Sequence, residues 1–300
     1  MTTHIRKCIF IALALFMVFA GTQLLVSCDS EEKASGEVQQ EEKGTIKLAY
    51  GNWAETIAFT NMVEIILEEM GYTVEKTLAE VALQYSSVAD SSSDIMVETW
   101  MPETQRTYWE KFSDDFDTLG TWFNKAKIGL VIPEYMEIQS IEDLNSIKDK
   151  LNGQIIGIDA GAGIMKNTTN AIEAYNLDYK LVTSSGPAMT ASLKAAIDEK
   201  EPIVVTGWAP HWKFARYDLR FLEDPKLEYG GNELVRSICR KGFIMDEPEV
   251  AQLFMNIKFN MQQIGSLMDV VSNSDLGEKE AAAQWIEDNR ELVDSWIPKS

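Results

Sequence analysis

Ile95–Pro102 reads IMVETWMP and Ile203–Pro210 reads IVVTGWAP, so an apolar run closed by Trp-x-Pro occurs twice, with Trp100 and Trp208 standing 108 positions apart. At the same offset, IKLAYGNW (Ile46–Trp53) falls on QIIGIDAG (Gln154–Gly161), and Thr77–Asp90 falls on Ser185–Asp198. Identities are few. Hydrophobic runs, helical stretches and the Trp-x-Pro ends nevertheless coincide without a gap. A match at one fixed period marks repeated supersecondary units, and here it predicts two α/β lobes of similar plan.

Each lobe alternates strand and helix. IKLAY, TVEKTLA and IMVETW read as strands of the first, with a helix over AFTNMVEIILEEMGY that ends at Gly71. QIIGI, KLVTS and PIVVTGW are strands of the second, with PAMTASLKAAIDEK as the helix before the last. This rhythm predicts mostly parallel sheets, with the ligand crevice at the carboxyl ends of the strands. Trp53, Gly161–Ile164, Trp100 and Trp208 all fall at such ends, which places four loops around one cleft. The chain is expected to cross between lobes at AKIGLVIPEY (Ala126–Tyr135) and to return near VRSICRKGF (Val235–Phe243). Its C-terminal helices, including Glu278–Trp296, then pack on the first lobe. The expected limits are residues 45–130 plus 238–300 for lobe 1 and 131–237 for lobe 2.

The N-terminus reads as targeting information. His4, Arg6 and Lys7 make a basic start, CIFIALALFMVFAG is apolar, and LLVSC follows; residues 1–27 are an expected secretory signal. Leu25-Val26-Ser27-Cys28 resembles the bacterial lipobox, whose cysteine is lipidated. Residues 28–44 are polar and acidic, too poor in apolar surface to order themselves, and read as a flexible lipid-anchored tether. No other apolar run approaches the ~20 residues that cross a bilayer. The body is therefore expected outside the cytoplasm, held to the cell membrane.

The net charge is −20, and removing residues 1–27 with Arg6 and Lys7 but no acid makes it −22. That argues against nucleic acid and anionic lipid surfaces as partners. With Cys28 lipidated, Cys239 is unpaired, so no disulfide framework exists and an ordinary core must hold the fold. Cys239 reads as a small buried hydrophobe.

Of the eight tryptophans, Trp109, Trp122, Trp285 and Trp296 sit in amphipathic settings and read as core, as does Trp212 one turn after Trp208. Trp53, Trp100 and Trp208 differ because all three converge on the crevice. Three indole faces suit a bulky cation without N–H groups, such as a quaternary ammonium, at about 2 kcal/mol or more per desolvated contact. DAGAGIM (Asp159–Met165) is a strand end, a glycine-rich turn and a helix start, whose free N–H groups point at an anion. Gly163 and Ile164 are the expected donors to a carboxylate.

Over Thr45–Trp296 the chain resembles the glycine betaine substrate-binding proteins of osmoprotectant ABC importers. GIDAGAGIM, VVTGWAPHWKFARYDLRFLEDP and ETWMPETQRTYWEKF carry the resemblance. It implies a two-lobed type II periplasmic-binding-protein fold that closes on its ligand, with no cofactor and no metal. It also implies a three-Trp box at Trp53, Trp100 and Trp208, and a carboxylate held by the N–H groups of Gly163 and Ile164. The implied partners are an ABC permease with its ATPase, met by a monomer. In relatives whose motif runs Trp-x-Pro-x-Thr-His, that histidine helps hold the carboxylate; here the position is Gln105, which carries no charge at any pH. Glycine betaine is the first expectation, with carnitine, proline betaine or choline behind it. His211 is expected to orient local structure.

Size adds a constraint. Glycine betaine has about eight heavy atoms, and micromolar binding needs roughly −8 kcal/mol, about −1 kcal/mol per atom and close to the ceiling for tiny ligands. An open platform would not reach that value, so both lobes must enclose the ligand. An enzyme is the main rival class, but beyond the signal the chain has one histidine, His211, and no nucleophile–base or metal-ligand spacing. Asp114-Asp115 and Glu68-Glu69 read as solvated faces. A carbohydrate-binding lipoprotein is the second rival, weakened by the scarcity of planar polar side chains near GNWAET and ETWMPETQ.

Overall fold

A computed structural model describes residues 43–299. The expected signal, Cys28 and the tether up to residue 42 lie outside the described residues. Lys43 is tied to the fold, its N–H donating to Gly71 O (3.0 Å) and its ammonium to Glu249 (2.6 Å).

The first half of the chain runs β1 (Thr45–Tyr50), α1 (Ala54–Glu69), β2 (Thr73–Leu78), α2 (Val81–Ala89), β3 (Ile95–Met101) and α3 (Arg106–Phe112). The long β4 (Phe116–Pro133) follows. A 3₁₀ segment (Ile141–Leu151) leads to β5 (Gln154–Ile156), α4 (Gly163–Ala174), β6 (Lys180–Val182), α5 (Gly186–Glu199) and β7 (Val205–Ala209). Short α6 (Lys213–Arg216) and β8 (Leu219–Phe221) precede β9 (Glu233–Arg240). The chain ends in α7 (Phe243–Asp246), α8 (Pro248–Asn256), α9 (Met261–Asn273), α10 (Glu278–Asp288) and α11 (Arg290–Asp294).

The repeat is visible in the pairing. β1 lies between β2 and β3 with parallel partners on both sides, and β5 lies between β6 and β7 in the same way. Both Trp-x-Pro phrases end a strand, and both carry a cis peptide, Met101–Pro102 and Ala209–Pro210. The expectation of mostly parallel sheets needs correction in the middle. The strand order is β2-β1-β3-β9-β4-β7-β5-β6, with β8 on β4, and every pairing of β9 and β4 is antiparallel. Residues of β9 return late in the chain and wedge between β3 and β4, which no local pattern announces.

β4 joins the two halves. Its first part, Phe116–Ala126, pairs with β9, and its second, Lys127–Val131, pairs with β7. The lobe limits expected from sequence fall inside β4 and β9.

Helix α1 shows why the first half holds together. Phe59, Met62, Val63, Ile66 and Leu67 bury one broad face, and the helix stops at Met70 because Gly71 takes φ +95°, a left-handed conformation that costs glycine nothing. α9 and α10 pack on α1. An aromatic cluster seals this contact: Phe59 stacks on Trp122 at 4.9 Å, and Phe259 meets Trp122, Trp285 and Trp296 at 5.0–6.2 Å. Trp122, Trp285 and Trp296 are thus core, as expected. Cys239 is a buried free thiol, pushed up to about 12 chiefly by burial. Among the described residues no helix is long and apolar enough to cross a membrane.

Candidate ligand-binding site

Trp53 caps the start of α1, Trp100 lies near the end of β3, and Trp208 near the end of β7. These are strand-end positions, and the fold turns all three toward one cavity. Gly163, Ile164 and Gln105 line the same cavity, so the six side chains and amides expected from sequence are brought together. His211 is not among the lining residues. It is buried beside Trp208, and its Nδ1 accepts from the Lys213 N–H at 3.1 Å.

Two of the three indoles are held by their N–H groups. Trp53 Nε1 donates to Asp159 Oδ2 (3.2 Å) and Trp208 Nε1 to Glu55 Oε2 (2.8 Å). Each bond joins the first repeat to the second, so the rings are set only when the halves meet. Two further contacts cross the cleft: Tyr108 Oη donates to Gly161 O at 2.9 Å, and Lys166 Nζ to Thr107 Oγ1 at 2.9 Å.

The N–H groups of Gly163 and Ile164, in the first turn of α4, have no hydrogen-bond partner among the described residues, whereas those of Ala162 and Met165 are bonded. They are the unspent donors of a helix start, where the dipole favours an anion. Glycine is required at 163 by close approach: a Cβ there would lie 1.7 Å from Thr104 O across the cleft. Gln105 is buried, and its Oε1 accepts from Trp100 N–H (3.3 Å) and Tyr85 Oη (3.1 Å). With that oxygen taken, the amide NH₂ is the group left to offer.

Three ionisable side chains were not foreseen. Glu55 and Glu98 line the cavity, and Lys213 is buried with its ammonium 4.3 Å from the Trp208 ring centre. Burial pushes Glu55 up to about 7, against the pull of the Trp208 N–H, its own backbone N–H and Lys213. Burial likewise drives Lys213 down to about 7, opposed by Glu55. Burial, and then the Glu55 charge, hold Glu98 well above the usual carboxylate range, with the Trp100 side chain opposing. A lone Glu in a helix's first turn reads as a dipole partner, which hides Glu55. For Glu98 a signal existed: it interrupts the otherwise apolar strand IMVETWM.

The arrangement offers aromatic faces and acid for a cation, and helix-start amides for an anion, in one cavity. It has the means to hold a small zwitterion.

Residues 44–288 match the model of the OpuAC family, the substrate binding domain of the ABC-type glycine betaine transport system. The glycine betaine/carnitine transport binding protein GbuC of Listeria monocytogenes is 45% identical over 151 residues, 49% of this chain; the match spans about half the length of that relative (50%). Lactococcal OpuAC, in its closed-liganded conformation with glycine betaine, superposes with a TM-score of 0.80 at 36% identity, covering 85% of this chain and 100% of that one. The glycine/betaine/L-proline-binding protein ProX of Borrelia burgdorferi gives 0.81 at 36% identity, with 85% and 97% covered. The two halves about a central cleft are those of the two-lobed substrate-binding proteins. The chain belongs to the OpuAC family, the substrate-binding domains of ABC-type glycine betaine transport systems.

Proposed function

We propose that this chain is an extracytoplasmic binding protein that captures a quaternary ammonium solute, glycine betaine first, and delivers it to an ABC importer. The observation that carries the reading is the convergence of three indoles and two free helix-start amides, drawn from both halves, on one cavity. Trp53, Trp100 and Trp208 would wrap the trimethylammonium group, where each desolvated cation–π contact is worth about 2 kcal/mol. Gly163 and Ile164 N–H, with the Gln105 amide, would hold the carboxylate. The similarity to GbuC and to liganded OpuAC supports glycine betaine and admits carnitine. The acids Glu55 and Glu98 favour a second reading, choline, which keeps the cation and lacks the carboxylate.

In this reading Cys28 carries the lipid that holds the protein at the membrane. The protein acts as a monomer, and its outer faces meet a permease and its ATPase. A thermal-shift screen of glycine betaine, carnitine, proline betaine, choline and sugars tests the ligand class. A shift with the methylated ammonium compounds alone is expected; a shift with sugars alone would sink the reading. Trp100→Ala and Trp208→Ala should each weaken binding more than about tenfold, the equivalent of losing one cation–π contact. Calorimetry showing unchanged affinity would remove that ring from the box.

A further inference from the structure

Resting on that reading of the cavity, we infer that Glu98 is a specificity-determining residue: its carboxylate faces the cationic head of the ligand, and the ligand is taken up with release of a proton from Glu98 to solvent.

The geometry comes first. Glu98 lies two residues before Trp100 on β3, so strand alternation puts both on the same face of the strand, and both line the cavity. The residue is buried, and neither carboxylate oxygen is in hydrogen-bond geometry with a described residue; the Trp100 indole, which favours the carboxylate, is its one polar neighbour of note. A buried polar group without a partner is costly and demands an explanation. The site around it is well built. β3 advances one residue further than β9 between Met96 and Thr99, a bulge at Val97–Glu98 of the kind that re-aims side chains. The bulge's Val97 carbonyl is satisfied by Trp122 Nε1 (3.2 Å) and Ser237 Oγ (2.7 Å). The backbone of the bulge is thus anchored at Val97 while neither Glu98 oxygen is bonded.

Among the described residues no cationic side chain is paired with it. Glu55 on α1 bears the same sign as Glu98 and is engaged by Trp208. Lys213 on α6 acts on Glu55, and His211 beside it is held neutral by burial and by Lys213. Arg236 on β9 lies over the Trp109 ring at 5.5 Å. The missing charge is that of the ligand. Burial and Glu55 favour the protonated acid in the free cavity, and an adjacent ammonium in a water-excluded site favours the carboxylate. On binding, the Glu98 O–H bond breaks, the electron pair stays on oxygen, and the proton leaves to buffer. The sign follows: affinity rises with pH between the liganded and the free pKa of Glu98 and levels off above the free value.

Isothermal titration of full-length protein with glycine betaine, at roughly pH 6 and pH 8 and in two buffers of different ionisation enthalpy, tests this. Wild type should release up to one proton at the lower pH. Glu98→Gln should bind roughly tenfold or more weakly at the higher pH, where the charge is lost, with a smaller proton release and a flatter pH profile. Equal proton release in Glu98→Gln and wild type, at any affinity, overturns the proposal. Should Glu98→Gln not fold, the wild-type titration decides alone, and heats independent of buffer overturn it. A wild type that binds none of glycine betaine, carnitine or choline overturns this inference together with the reading it rests on.

Discussion

Gly163 shows how much of the site depends on single atoms. A methyl group there would sit 1.7 Å from Thr104 O and 2.5 Å from Thr104 C, both backbone atoms that cannot swing aside. The overlap exists only while the two halves touch. At the first position of α4 the same methyl suits the helix, since alanine loses less backbone entropy than glycine, by roughly 0.5–1 kcal/mol. Gly163→Ala should therefore leave the melting temperature of ligand-free protein unchanged or slightly raised, yet reduce affinity for glycine betaine by at least about a hundredfold, because a closed pocket is what binds so small a ligand. Calorimetry paired with a thermal melt separates the two effects. Equal affinity would mean that closure leaves more room at this point than the geometry allows. The contrast with Glu98 is instructive: one position matters for what it lacks, the other for a charge held in waiting.

At the scale of elements, the turn between β3 and α3 carries Thr104 and Gln105 to the cavity, and it is pinned from β9. Buried Glu233 accepts from Glu103 N–H (3.3 Å), from Thr104 N–H (3.1 Å) and from the Thr104 hydroxyl. Bonds to a carboxylate are about twice as strong as neutral ones, and Glu233→Ala would strand two backbone donors. We expect that variant to lose on the order of 2 kcal/mol of stability and to bind glycine betaine more weakly; Glu233→Gln, which keeps one acceptor, should recover part of both. Unchanged affinity in a destabilised Glu233→Ala would show that the turn holds its place without the clamp. This clamp also marks where sequence reading stops. β1 to β3 and β5 to β7 were legible because strand and helix periods, and the 108-residue echo between them, are local patterns. The strand-end tryptophans and the Gly163 turn followed from that echo. The wedging of β9 between β3 and β4 was not legible, since an apolar strand does not name its partner. Glu55 and Lys213 were missed for the same reason: each has an ordinary solvated interpretation until an element distant in sequence covers it.

For the whole molecule, the question is what holds the halves shut. The chain passes between them inside β4 and again on the way to β9, so opening about these crossings breaks few covalent constraints. Among the described residues several hydrogen bonds join the halves, the exposed Arg216–Asp269 pair (2.6 Å) included, and they differ in setting. Trp53–Asp159 and Trp208–Glu55 involve cavity rings, so their removal would confuse closure with contact. Lys166–Thr107 is exposed and should contribute little. Tyr108 Oη to Gly161 O is partly buried and outside the cavity lining, which makes it the clean probe. Its ring also stacks on Tyr85 at 5.7 Å, a contact that Tyr108→Phe preserves. Losing one such bond costs about 1 kcal/mol. If the free protein is mostly open, that cost falls wholly on the closed state, and apparent affinity drops about fivefold because Kd scales inversely with the competent fraction. Tyr108→Phe should thus bind glycine betaine about fivefold more weakly with an unchanged ligand-free melting temperature, while Lys166→Ala stays within about twofold. Small-angle scattering should show the radius of gyration of wild type falling on ligand addition, and Tyr108→Phe reaching the same compact value only at higher ligand concentration. A free protein already as compact as the bound one would place the equilibrium on the closed side, and Tyr108→Phe would then lower the ligand-free melting temperature instead.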